Sequence, residues 1–115
     1  MWTATILAGM EKPVPELTPE EAQQRMADGA LLIDVREQKE WDAARIPGAV
    51  LQPMSQLNSW YQDLPSDQDI VLVCRTGNRS GRIADALINQ AGYETVFNLT
   101  GGIVRWAEEG RPVES

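Results

Sequence analysis

One stretch of the chain combines a nucleophile with the means to activate it. Residues 74–80 read Cys-Arg-Thr-Gly-Asn-Arg-Ser, and Cys74 is the single cysteine among 115 residues. A thiol of ordinary pKa, about 8.5, is mostly protonated at neutral pH, whereas the thiolate is the form that attacks electrophiles. Positive potential closes that gap. Arg75 and Arg79 bring full charges, Arg82 adds another one turn further on, and the backbone N–H groups of a tight loop opening into a helix point their partial positive charge inward. Gly77 allows the left-handed or closely approached backbone that such a nest requires. An isolated cysteine is more often a small core residue. Strand, Cys, Arg, Gly, Arg and a well-patterned helix, in that order, point instead to a covalent nucleophile.

Composition narrows what that nucleophile can work with. The chain has no histidine, which excludes Ser-His-Asp and Cys-His catalysis and His-based metal sites. A lone cysteine permits neither an internal disulfide nor a zinc cluster of several thiolates, and it fits a reducing compartment. No metal and no cofactor is expected. Ten Lys plus Arg against seventeen Asp plus Glu leave a net charge of −7, and so acidic a body repels phosphate backbones and anionic membranes. Neither nucleic acid nor a membrane is an expected partner. Residues 1–10 are apolar but carry no basic leading region and are too short to span a bilayer. A cytoplasmic location is the expectation, with Trp2, Ile6 and Leu7 folded against the domain.

The elements that must position the thiol follow from hydrophobic pattern. Residues 11–16, rich in Pro and charge, read as a connection, so the chain divides into an extension, 1–15, and a domain, 16–115, large enough to bury a core. Thr18 as N-cap, Pro19 behind it, Glu21 completing a capping box and Gly29 as a stop predict a helix. The apolar run 30–35 predicts a buried strand, ending at polar Asp34 and Arg36. One or two helical turns over 37–44, a turn at Pro47 and Gly48, and a brief strand over 49–51 come next. Leu57, Trp60, Tyr61 and Leu64 recur at helical spacing over 55–64 and are read as core. Residues 69–74 form the second buried strand and 82–92 the best-patterned helix, with Ile83, Leu87 and Ala91 at i, i+4, i+8 and Ala84 and Ile88 beside them. A strand over 94–99 and a short helix over 101–110 complete the set. Strands separated by helices mean a parallel α/β sheet covered on both faces, with ligands outside the carboxyl ends of its strands. Cys74 lies at such an end.

The motif Cys-Arg-Thr-Gly-Asn-Arg-Ser resembles the active-site loop of the single-domain rhodaneses, the thiosulfate:cyanide sulfurtransferases and their relatives. Residues 31–50 are similar to that family's Asp-Val-Arg-Glu segment and Ile-Pro-Gly-Ala turn, and residues 99–113 to its closing Gly-Gly-x-x-x-Trp helix. The resemblance covers nearly everything after residue 15. It implies a rhodanese-like α/β fold with a five-stranded parallel sheet flanked by helices. It also implies sulfur transfer in two steps: Cys74 takes a sulfane sulfur from thiosulfate or another donor, becomes a persulfide, and passes the sulfur to an acceptor. Cyanide serves in an assay; a small thiol, thioredoxin or a dedicated acceptor protein would serve in the cell. On this reading Cys74 is catalytic, Arg75, Thr76, Gly77, Asn78 and Arg79 bind substrate, and Ser80, Asp34 and Arg36 support them. Arg75 is assigned to the donor's oxyanion, and Arg79 to steadying the loop. Asp34 and Arg36 are expected to pair with each other or with Glu37 and Glu40. Arg45 stands where the family usually has His.

Two rivals differ in class. Phosphatases and arsenate reductases of this fold place five residues between Cys and Arg, making room for a tetrahedral oxyanion; here four intervene, Arg75 to Asn78. A persulfide carrier or protein-interaction module would need the same cysteine and is separated from an enzyme by exchange with a protein partner rather than cyanide turnover. Gly101 and Gly102 are read as a tight strand-to-helix turn and Trp106 as core. The pocket above Cys74 is assigned to Trp41, Arg45 or Met54.

Overall fold

The computed structural model describes residues 11–115; the expected packing of Trp2, Ile6 and Leu7 lies outside them. The chain runs β1 (Glu16–Leu17), α1 (Pro19–Ala27), β2 (Leu31–Asp34), α2 (Gln38–Ala43), β3 (Val50–Leu51), α3 (Leu57–Trp60), β4 (Ile70–Val73), α4 (Asn78–Asn89), β5 (Val96–Leu99) and α5 (Gly102–Glu108). All five strands pair in parallel, in the order β1-β5-β4-β2-β3. Central β4 is buried at every residue, as a continuous β-branched run covered on both faces requires.

Alternation along the strands divides the core in two. Ile33, Ile70, Leu72 and Val96 face Trp60 of α3 and Ile83, Ala84, Leu87 and Ile88 of α4. Leu32, Val71, Val73 and Leu99 face Ala22 of α1 and Ile103 and Trp106 of α5. Each fully buried aliphatic side chain contributes roughly 1.5–3 kcal/mol, so β4, supplying two residues to each layer, is the member from which the rest hang. Cys74 immediately follows it and belongs to the first layer.

The first helix forms as its signals indicate: Thr18 Oγ1 accepts from the Glu21 N–H at 3.2 Å and Glu21 Oε1 from the Thr18 N–H at 2.9 Å. Two expectations need correction, and one strand carried no legible signal. The segment 55–64 is no single helix but a 3-10 turn (Met54–Gln56), one α turn and a second 3-10 turn (Tyr61–Asp63). The Trp60 indole donates to the Pro53 carbonyl at 2.8 Å, and Leu64, preceding Pro65, is held extended; between these anchors no long helix fits. Trp60 and Leu64 are still buried, with Leu57 and Tyr61 partly so. The helix expected over 82–92 begins four residues earlier, at Asn78, and ends at Asn89, leaving Ala91 exposed. The fifth strand is β1, two residues long, paired with Asn98 and Leu99; two residues are too few to show a period of two.

Candidate active site

The cysteine loop turns on Gly77. Its φ of 101° is the left-handed cap from which α4 starts, so Asn78, Arg79 and Ser80 form the helix's first turn. The Gly77 N–H donates to Cys74 Sγ at 3.1 Å, and Ser80 Oγ lies 3.3 Å from the same sulfur. Cys74 is 1% exposed, which places the thiol on the floor of a cradle. Burial is the largest single influence on its pKa and pushes it up. The Ser80 hydroxyl and the N–H groups of Ser80, Gly77 and Thr76 act against that, and together they hold the thiol below its ordinary value. The sulfur is activated by the loop's own donors more than by the arginines to which the sequence reading assigned much of the field.

The arginines divide their roles. Arg79 forms a bidentate pair with Glu40, Nη1 to Oε1 at 2.8 Å and Nη2 to Oε2 at 2.7 Å. Glu40 also accepts the Glu37 N–H at 3.1 Å, so one carboxylate caps α2 and ties it to the start of α4. The Arg79 hydrogen bond, against the opposing effect of burial, lowers the Glu40 carboxyl from 4.5 to about 2. Arg75, Thr76 and Asn78 are exposed at the loop's outer side, and among the described residues Arg75 and Arg82 form no ion pair. Arg82 points outward from α4 rather than adding to the cradle.

Asp34 and Arg36 are paired and almost wholly buried: Nη2 lies 2.8 Å and Nε 3.0 Å from the two carboxylate oxygens. Arg36 Nη2 also donates to the Ala44 carbonyl at 2.6 Å. The pair thus closes the loop carrying α2 onto the end of β2. Arg45 stacks over Trp41, 5.2 Å from the ring, and its backbone pairs in both directions with Glu114 at 2.8 Å. It pins the C-terminal segment. Met54 packs against the core layer that contains Cys74. A depression of about 300 Å³ between α3 and the far half of α4, lined by Leu57, Tyr61, Ala86 and Gln90 among others, shares no residue with the cysteine loop.

Sequence reasoning missed the loop's brace. Gly101, at φ 79°, caps α5, whose first N–H groups point at the back of the cysteine loop: Ile103 N–H donates to the Cys74 carbonyl at 2.9 Å and Val104 N–H to the Arg75 carbonyl at 3.1 Å. The Arg75 carbonyl is thus bound from behind, while the N–H of that same peptide, Thr76's, is among the donors that act on the sulfur. A Cβ on Gly102 would lie 2.5 Å from the Cys74 carbonyl oxygen, so glycine is required there by close approach as well as by its φ of 60°. Asn98 was missed too, although it carried a signal, a polar residue inside an apolar strand. Glu40 was expected to pair with Asp34 or Arg36 and binds Arg79 instead; nothing in the sequence named that partner.

The family described as Rhodanese-like domain matches residues 18–109. A sulfurtransferase of Allochromatium vinosum is 40% identical over 102 residues, covering 87% of this chain and 94% of that one. Among solved structures, a rhodanese-related protein of Thermoplasma volcanium superposes with a TM-score of 0.77 at 28% identity, over 87% of this chain and 97% of that one. The thiosulfate sulfurtransferase of Pseudomonas aeruginosa does so with a TM-score of 0.78 at 27% identity, over 88% of this chain and 20% of that one. A sulfur cradled by the N–H groups of a strand-to-helix loop, on a five-stranded parallel sheet shared with these proteins, leads to one conclusion: the chain belongs to the rhodanese-like sulfurtransferase family.

Proposed function

We propose that the protein transfers a sulfane sulfur from thiosulfate, or a donor of like chemistry, to a thiophilic acceptor through a Cys74 persulfide. The observation that carries this reading is the convergence of loop donors on one buried sulfur, with the Gly77 N–H 3.1 Å away. The Cys74 thiolate attacks the outer sulfur of thiosulfate. An S–S bond forms, the bond to the sulfonate sulfur breaks, and its electron pair leaves with sulfite. The negative charge now rests on the terminal persulfide sulfur, inside a ring of N–H groups suited to hold it. In the second step the acceptor attacks that terminal sulfur and Cys74 leaves as thiolate; with cyanide the product is thiocyanate. Covalent catalysis splits the transfer into two easier displacements. Arg75, exposed and without an ion-pair partner among the described residues, offers its planar fork to the donor's sulfonate oxygens. The chain holds no second cysteine to resolve the persulfide, so the acceptor comes from outside it.

The test is intact mass after incubation with thiosulfate, beside a Cys74→Ser control, followed by cyanide. The expected result is a gain of one sulfur atom on the native chain alone, removed by cyanide with release of thiocyanate. An unchanged mass with a thiol still open to alkylation would overturn thiosulfate as donor. A persulfide that forms but resists cyanide while passing to a protein thiol would identify a carrier.

A further inference from the structure

Ser80 is fully buried, and its hydroxyl is contested. Oγ lies 3.3 Å from Cys74 Sγ and 2.6 Å from Asn98 Oδ1. A hydroxyl has one proton and cannot donate to both. Which acceptor it serves depends on the orientation of the Asn98 amide, and the partners of Nδ2 decide that: the Glu16 carboxylate at 3.1 and 3.2 Å and the Gly77 carbonyl at 3.1 Å. Both accept and neither can donate. The NH2 group must therefore face them, and Oδ1 must face Ser80. Thr100 Oγ1 in turn donates to Glu16 Oε1 at 2.7 Å, holding the carboxylate in place.

The chain of polarity then runs one way. With the sulfur protonated, every link is satisfied in sequence: the thiol donates to Ser80 Oγ, Ser80 to Asn98 Oδ1, and Asn98 to Glu16. With the sulfur ionised, the Ser80 proton is wanted in two places, and turning it to the thiolate strips Asn98 of its donor. We infer that Asn98, held by Glu16, is a positioning residue that draws the Ser80 proton away from Cys74 and so opposes formation of the thiolate. The consequence for turnover rests on the sulfur-transfer reading. When charge moves from Sγ to the terminal persulfide sulfur, Sγ no longer needs the hydroxyl, and Ser80 returns to Asn98. The relay thereby favours the persulfide over the resting thiolate. Of the other charged groups around the cradle, Arg79 pairs with Glu40 and Asp34 with Arg36, Arg75 and Arg82 are exposed and form no ion pair, and among the described residues none of these bonds to Ser80 or Asn98.

Alkylation of Cys74 by iodoacetamide across a pH series reads thiolate formation and needs no sulfur donor, so its failure and that of the transfer reading are separable. Asn98→Leu, which frees the hydroxyl for the sulfur, is expected to speed alkylation below the thiol's midpoint by roughly three- to tenfold, since a hydrogen bond to a charged group is involved. Glu16→Gln keeps an acceptor for Asn98 at an exposed position and removes only the charge; it is expected to act in the same direction by less. The deciding measurement is the same pair of substitutions on a Ser80→Ala background. Both effects are expected to vanish there. Slower alkylation in either single variant, an unchanged rate in Glu16→Gln, or an acceleration that persists without the hydroxyl would overturn the relay, the last outcome assigning the effect to loop bracing or to plain charge removal.

Discussion

Two strand-to-helix turns lie against each other at the carboxyl edge of the sheet, built alike and used differently. Each leaves its strand through a glycine in the left-handed region, Gly77 at 101° and Gly101 at 79°, and each opens a helix whose first N–H groups need partners. The β4–α4 turn points those donors at a sulfur atom, the β5–α5 turn at the carbonyls of Cys74 and Arg75. One turn forms the candidate site and the other is its frame. The same backbone device holds an anion or holds another backbone, and what separates the two uses is the residue at the strand end, Cys74 in one and Thr100 in the other.

The comparison predicts unequal costs for the same small change. Gly102→Ala places a methyl 2.5 Å from the Cys74 carbonyl oxygen, against backbone that cannot yield without moving the sulfur. Together with a φ of 60° it is expected to cost about 3–4 kcal/mol and to abolish sulfur transfer. Gly77→Ala meets nothing nearer than the Gly101 nitrogen at 3.4 Å, so it bears only the strain of its φ, about 1–2 kcal/mol, with transfer reduced rather than lost. Thermal melts beside a thiosulfate assay check both. If the two variants matched, the second turn would not be the frame of the first.

Arg75 and Arg79 sharpen the contrast on the catalytic side. They are four residues apart in one loop, yet Arg79 is bound by Glu40 and Arg75 is not. Arg75→Gln is expected to raise the KM for thiosulfate about tenfold, the worth of a charge-assisted hydrogen bond, while leaving Cys74 alkylation by a neutral reagent unchanged. A fall in kcat with KM unmoved would overturn the oxyanion role proposed for Arg75.

How far the sequence disclosed this arrangement depended on how far apart the partners lie in the chain. Strands β2, β4 and β5, and the capped helix α1, were legible because their signals are local: short, largely apolar runs, Thr18 with Glu21, Gly29. Cys74 with its glycine and arginines was legible for the same reason. The brace from α5, the bond from Glu40 to Arg79 across 39 residues and the contact of Glu16 with Asn98 across 82 were not, because nothing in a residue type states what will be folded against it. The segment 55–64 shows the converse failure. Its apolar spacing was read as core, which holds for Trp60 and Leu64 and in part for Leu57 and Tyr61, but the indole of Trp60 and the proline after Leu64 broke the continuous helix that spacing alone implied.

The smallest expected effect concerns the clamp between α2 and the cysteine loop. Glu40 has a carboxyl pKa of about 2 in the folded chain against 4.5 for a free side chain, chiefly because of its bond to Arg79. A carboxyl held below its unfolded value contributes stability that is complete above about 4.5 and is lost as the pH falls from there through about 2. Both side chains of the pair are 31% exposed, so solvent screens much of the attraction and the contribution is about 1 kcal/mol. Glu40→Gln is therefore expected to melt a few degrees below the native chain at pH 6 and to converge with it as the pH drops across that window. The bonds by which α5 frames the cysteine loop run from backbone to backbone and do not involve Glu40, so the Cys74 cradle should survive the substitution, read as unchanged relative alkylation of the two proteins at pH 6. A gap that stays constant down to pH 2 would assign the loss to helix capping by Glu40 rather than to its ion pair.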